Sequence, residues 1–207
     1  PRRWAILASS LLAAMATTCL ASGVAFLIPR LHSDGMSLQA AAILASAPMV
    51  GMVATTVLWG WALDRVGERR ILLLSLALTV AATAATAVAA VAGAAAWALW
   101  LGLVLGGAVA ASTNGASGRI VVGWFPVEQR GTAMGIRQMA QPLGVGVTAL
   151  TVPVLAHRFG APAGFAVFAV VAAVALAATW RWIADPPPAD TAATTSANPY
   201  RRSTFLA

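Results

Sequence analysis

Apolar residues in this chain come in long runs rather than in the alternation of a strand or the stripe of a soluble helix. Residues 4–29, 36–63, 71–118 and 159–180 contain no charged side chain. A bilayer core takes about 20 apolar residues per helix. The run 71–118 as a single helix would be roughly 72 Å long at about 1.5 Å per residue, so it must fold back, most naturally around 93–96. The pattern predicts six helices near 4–28, 38–63, 70–92, 96–122, 131–156 and 161–183. The fold class is therefore an all-α membrane protein with six transmembrane helices.

Composition agrees with the pattern. The chain is 60% hydrophobic and 9% charged, where a soluble domain is about 25% charged. The net charge of +7 invites a nucleic-acid reading, but the basic residues form no helix face or stripe. All of them are arginine, and they sit at the ends of the apolar runs, where orientation signals belong. One set of connections receives Arg2, Arg3, Arg65, Arg69, Arg70, Arg130, Arg181, Arg201 and Arg202, and the other only Arg30 and Arg158. That bias predicts a multi-pass protein of the plasma membrane with its N-terminus and C-terminal tail in the cytoplasm. Cys19 stands alone, so neither a disulfide framework nor a cysteine metal cluster is expected, and no cofactor is implied. The first run is too long for the h-region of a signal peptide and further spans follow it, so it reads as a retained helix.

Beyond Ala184 the sequence becomes DPPPADTAATTSANPYRRSTFLA. Three prolines followed by small polar residues read as a linker. The expected domains are thus a six-helix unit at 1–184 and a cytoplasmic linker at 185–207. A first residue that is not Met and an apolar finish suggest that both ends are cut from a longer protein.

Two segments echo each other. Helix two runs from Pro48 to ALDRVG at 62–67, and helix five from Pro142 to LAHRFG at 155–160. Arg65 and Arg158, like Gly67 and Gly160, are 93 positions apart, and the two prolines 94. An offset of three helices inverts the unit relative to the membrane, which predicts an inverted 3+3 repeat of the kind found in secondary transporters.

Between helices two and three, GWALDRVGERR (60–70) packs five charges, Asp64, Arg65, Glu68, Arg69 and Arg70, into seven positions. The arginines and a glycine for the reversal suffice for a positive-inside turn. Asp64 is left over: a carboxylate near the C-terminal end of a helix faces an unfavourable dipole and should have a partner, with Arg65, Arg69, Arg119 and Arg130 available in the chain. The stretch resembles the loop 2–3 signature of the major facilitator superfamily, roughly G-x-L-a-D-r-x-G-r-k, at Gly60, Asp64, Arg65, Gly67, Arg69 and Arg70. Ala62-Leu63 and Glu68 depart from it. A second stretch, WFPVEQRGTAMGIRQMAQPLG (124–144), looks like loop 4–5 and helix five of bacterial members. The resemblance implies the N-terminal half of a twelve-helix carrier that works by alternating access. Its partners would be the bilayer, a small-molecule substrate and the C-terminal six-helix half of the same protein. It also implies that Asp64 locks the cytoplasmic side against a helix N-terminus in that other half, and that helices one, four and five contact substrate.

Arg137 is notable without any family knowledge. On the predicted map it lies about six residues, or roughly 9 Å, inside helix five. An arginine facing lipid costs about 2.5–3.5 kcal/mol at the helix centre. Arg137, Gln141, Gly144, Thr148 and Thr151 follow steps of four, three, four and three, a polar stripe on an apolar helix. Snorkelling or helix packing is one reading; substrate contact by Arg137, Gln138 and Gln141 is the other, and it favours an anionic or carboxylate-bearing solute held bidentately. In helix four, Gly102, Gly106, Ala110, Asn114 and Gly118 repeat every four residues, a small face suited to close helix packing, with Asn114 open to either packing or a cavity. No Asp or Glu lies inside any predicted helix, so a buried carboxylate for proton coupling is not expected in this half.

Two other classes compete. GASG at 115–118 matches the nucleophile motif of rhomboid-type intramembrane proteases, but a serine needs a base about 3 Å away. His32 and His157 map to the opposite side of the membrane from Ser117. A non-transporting scaffold or receptor of the same fold is the remaining alternative. An enzyme is not expected.

Overall fold

The computed structural model describes residues 2–184; the linker expected at 185–207 lies outside the described residues. Among these residues, six helices are long and apolar enough to cross a membrane: Arg2–Ser33, Leu38–Val66, Glu68–Val91, Ala96–Trp124, Val127–Phe159 and Ala161–Trp182. They are called spans one to six below. The fold-back expected at 93–96 is present. It is a Schellman end, with Ala94 N–H donating to Ala89 O and Gly93 N–H to Ala90 O at φ +69°, the geometry for which glycine is favoured.

Prolines explain where the spans bend. Pro29 has no N–H for the carbonyl of Ala25, and span one tightens to a 3₁₀ turn over Val24–Leu27 just before it. Pro142 likewise cannot serve Gln138, and span five breaks at Met139 into Val127–Gln138 and Ala140–Phe159. In both places the ring also crowds the carbonyl four residues back.

Spans two and four pack closely, as do five and one; span three lies against span six, with three on four and six on one completing the bundle. An offset of three spans exchanges two-on-four with five-on-one and three-on-four with six-on-one, and returns three-on-six to itself. Local geometry repeats as well. Gly67 and Gly160 end spans two and five with φ of +92° and +87°, and their N–H groups donate to Leu63 and Ala156, the equivalent carbonyls. A Cβ on Gly51 would stand 2.7 Å from Ala108 N, and one on Gly144 3.0 Å from Met15 O. Gly144 follows Gly51, and Ala108 follows Met15, by the same 93 positions. Thr55 and Thr148, again 93 apart, donate to Gly51 O and Gly144 O. The 3+3 repeat is thus present in backbone approach and hydrogen bonding, well beyond the few identities visible in sequence.

The small face of span four is a packing surface in the half nearer Ala96. Gly106 lies against Leu20 and Thr83, and Gly107, which the four-residue step omits, meets the backbone of Pro48. With no side chain to separate them, the two backbones approach and Thr55 and Trp59 both donate to Ala108 O, at 2.7 and 2.6 Å.

Candidate functional site

Spans one, two, four and five enclose a cavity of about 380 Å³. Span five supplies Arg137, Gln138 and Gln141, and span four supplies Asn114. All four residues singled out for substrate contact therefore share one cavity. Span one adds Thr17, Thr18 and Ser22, and span two adds Met49 and Met52.

Span five starts at Val127, earlier than predicted, so Arg137 is ten residues along it, about 15 Å rather than 9 Å. Its side chain is only 5% exposed. Nε donates to Ser117 Oγ at 3.1 Å, and Nη2 to Asn114 O at 2.7 Å and to Ser117 Oγ at 2.9 Å. Nη1 donates to Gln138 Oε1 at 2.9 Å. A guanidinium carries five N–H donors. The three groups around it occupy four, which leaves one Nη1 hydrogen uncommitted among the described residues. All of these partners are neutral, and among the described residues Arg137 makes no ion pair. The side chain is buried rather than snorkelling to the surface, and its bonds to Ser117 and Asn114 tie span five to span four, so it serves helix packing while lining the cavity; a buried charge without a counter-charge is costly.

The polar stripe on span five divides. Arg137 and Gln141 line the cavity, whereas Gly144 packs against Met15 and Thr18 and Thr148 is buried, bonded back to Gly144 O. The Ser117 hydroxyl of the GASG stretch is buried and accepts two hydrogen bonds from Arg137, making it a clamp for the guanidinium. Helix one was expected at the cavity from the family resemblance, but no residue in it was named because the run looks uniformly apolar, and the contribution of Met49 and Met52 from span two was not expected. Ala14, Thr17, Thr18, Ala21 and Ser22 nevertheless follow a helical face of small and hydroxyl side chains.

The loop 2–3 residues gather at the arginine-rich end but do not form one contact. Asp64 Oδ1 pairs with Arg119 Nη1 at 2.6 Å, both partners well exposed, so its partner within this chain comes from span four. Arg65 stacks over the Trp61 ring at 4.0 Å. Arg69 Nε donates to Ile183 O at 2.9 Å, tying the start of span three to the end of span six. Arg70 is exposed, and a Cβ on Gly60 would meet nothing within 4 Å.

This arrangement, six spans in a 3+3 repeat around a polar cavity, has relatives. The sequence model of the Major Facilitator Superfamily matches residues 2–205. The chain belongs to that superfamily. An uncharacterised MFS-type transporter of Mycobacterium tuberculosis, from strains CDC 1551 / Oshkosh and H37Rv, is 46% identical over 210 residues. The match covers 99% of this chain and 46% of the relative, so the chain spans about half the length of these proteins. Among solved structures, a D-xylose-proton symporter superposes with a TM-score of 0.73 at 14% identity, over 90% of this chain and 49% of the symporter. The POT family transporter PepTSo does so with a TM-score of 0.70 at 21% identity, over 91% and 39%. At those identities the likeness is one of fold. Superfamily membership sets the chain among multi-pass membrane proteins, in a family of transporters rather than of enzymes.

Proposed function

We propose that this chain is the N-terminal half of a secondary transporter that moves a small anionic or carboxylate-bearing solute by alternating access. The observation that carries the solute class is Arg137: a buried guanidinium with neutral partners, lining a polar cavity and with one N–H uncommitted. An anion there supplies the missing counter-charge. With a single Nη1 hydrogen uncommitted, a carboxylate takes one bond from Arg137 and its second from the amide of Gln138, Gln141 or Asn114. A bidentate grip needs one N–H from each of two guanidinium nitrogens, and with Nε and Nη2 committed to Ser117 and Asn114 it requires a bond from Nη2 to be released. The C-terminal six-helix half closes the cavity from the other side, the arginine-rich end faces the cytoplasm, and the protein resides in the plasma membrane. The loop 2–3 cluster acts as a gate: the Asp64–Arg119 pair belongs to one access state and is exchanged for contacts to the other half in another.

The test is counterflow in proteoliposomes of the full-length protein, with small carboxylates set against neutral amides and sugars. Saturable exchange of a carboxylate, abolished by Arg137→Gln in a protein that still folds, is expected. Exchange of neutral solutes indifferent to that substitution would overturn the anionic assignment. A folded protein that transports nothing would be a scaffold.

A further inference from the structure

Span four is interrupted at Ala111, between Ala96–Ala110 and Ser112–Trp124. Beside the interruption its carbonyls serve other spans: Ala108 O accepts from Thr55 and Trp59 of span two, and Val109 O from Ser75 of span three at 2.6 Å. Ser75 Oγ also lies 3.1 Å from Thr113 Oγ1. At the far end, Trp124 Nε1 donates to Ala184 O at 3.0 Å. The segment 112–124 is therefore anchored where it begins and where it stops.

Between those anchors it is gripped from two sides. Arg137 of span five bonds to Asn114 O and Ser117 Oγ, and a Cβ on Gly118 would stand 3.9 Å from its Cζ, so the guanidinium lies against the segment itself. Asp64 of span two pairs with Arg119. Ser117 and Arg119 are two residues apart, about 200° around a helix of 3.6 residues per turn. The cavity arginine and the loop 2–3 carboxylate thus hold opposite faces of one short helix. The hold of Arg137 is also contested. A carboxylate takes its first bond from the uncommitted Nη1 hydrogen, but a bidentate grip takes its second from Nη2, which now bonds to Asn114 and Ser117. Span four and a solute compete for the same donor.

We propose that the Ser112–Trp124 segment of span four relays occupancy of the cavity to the loop 2–3 cluster. An anion that draws Nη2 off Asn114 and Ser117 loosens the segment from span five, and the segment's shift separates Arg119 from Asp64. The inference rests on the readings of Arg137 as the anion site and of Asp64 as a gate. The two arrangements differ in contacts, as a population shift requires: without solute, Arg137 fixes the segment with Arg119 against Asp64; with solute, Asp64 is released. By linkage, loss of the Asp64–Arg119 pair favours anion binding in return.

The experiment is hydrogen–deuterium exchange of the full-length protein, following 60–70 and 112–124, with acetate as the probe and acetamide in matched sodium chloride as its neutral counterpart. Acetate should speed exchange in both stretches, by about two- to fivefold in 60–70, the range an exposed ion pair allows; acetamide should not. Arg137→Gln cuts the same bonds without any solute and should speed both stretches while abolishing the acetate response. Ser117→Ala removes the serine bonds and leaves Arg137 in place; it should act in the same direction, and it serves if Arg137→Gln does not fold. Arg119→Gln should speed 60–70 alike, and combining it with Ser117→Ala should add nothing there, whereas independent lesions would multiply. Wild-type exchange of 60–70 in Ser117→Ala, or a multiplied effect in the double variant, would overturn the relay whatever acetate does. Acetate that speeds 112–124 but not 60–70 would overturn the relay and leave the anion site standing. Acetate without effect where Ser117→Ala opens both stretches would overturn the anion as the trigger.

Discussion

Gln138→Glu separates the two demands placed on Arg137, burial and ligand binding, because it changes them in opposite directions. Gln138 Oε1 already lies 2.9 Å from Nη1, and glutamate is nearly isosteric with glutamine, so the substitution puts a carboxylate beside the guanidinium without repacking. At an effective dielectric constant of about 20, two unit charges at that separation attract by about 6 kcal/mol. Desolvating the new carboxylate takes back several kcal/mol. The midpoint of thermal unfolding of the full-length protein should therefore hold steady or rise. An anionic solute entering the same cavity meets that carboxylate at about 5 Å, a repulsion of about 3 kcal/mol, or a factor of about 10² in affinity. Calorimetric binding of the transported anion, measured beside a melting curve, reads both quantities. Gln138→Ala is the comparison: it removes the amide without adding a charge, frees a second Nη1 hydrogen, and should cost much less affinity than Gln138→Glu. Anion affinity unchanged in Gln138→Glu would refute the placement of the solute at Arg137. A lowered unfolding midpoint would refute the picture of a buried guanidinium awaiting a counter-charge.

The other predictions follow from local geometry. Asp64→Asn breaks an exposed ion pair worth about 0–1 kcal/mol, so the melting curve of the full-length protein should barely move while solute exchange falls; unchanged exchange would reduce the cluster to an orienting turn. Gly51→Ala drives a methyl into Val104 O and to within 2.7 Å of Ala108 N, both backbone atoms, and overpacking of this kind costs at least about 1–3 kcal/mol. Gly106→Ala meets nothing closer than 3.4 Å and should gain up to about 1 kcal/mol of helix propensity, so the two alanines should shift thermal unfolding in opposite directions. Gly67→Ala and Gly160→Ala place a side chain at φ near +90° and should destabilise alike, by about 1–3 kcal/mol. A fluorophosphonate probe should leave Ser117 unlabelled, as its oxygen is engaged by Arg137, and intact-mass spectrometry would show an adduct if it does not.

Most of the fold was legible because a bilayer imposes a length on apolar runs. Runs free of charge gave six spans to within a few residues, and a glycine marked the reversal at Gly93. The start of span five was harder to place, since Glu128 and Arg130 look like a loop; in the structure they form its first turn after Pro126, and Arg130 folds back to donate to Phe125 O at 3.0 Å. Arg137 could be flagged because an arginine inside an apolar helix is expensive wherever it points. Its partners could not: the groups that hold it are a serine hydroxyl and a backbone carbonyl some twenty residues away on span four, and nothing in the pattern of span four distinguishes a clamp from a packing face. The pairing of Asp64 with Arg119 was one option among four, and only the relative placement of spans two and four selects it. The break at Met139 was implicit in Pro142, though helical periodicity alone carried the polar stripe through it.

The repeat and the cavity together say something that neither says alone. At an offset of 93, Arg137, Gln138 and Gln141 correspond to Leu44, Ala45 and Pro48 of span two, and Leu44 is buried in the apolar core with Ala45 packed against it. The shared positions are those that hold helices together: Gly51 with Gly144, Thr55 with Thr148, and Gly67 with Gly160. The positions that differ are those on which the charge of the cavity depends. Backbone approach thus follows the pseudo-twofold relation between the two halves of the repeat, while the polar chemistry sits in one copy. On the proposed reading, an anion at Arg137 lies off that axis toward spans four and five. Closing and opening the cavity then changes its contacts unequally between the two copies. A difference between access states arises from the asymmetry of the side chains on a scaffold that is itself nearly symmetric.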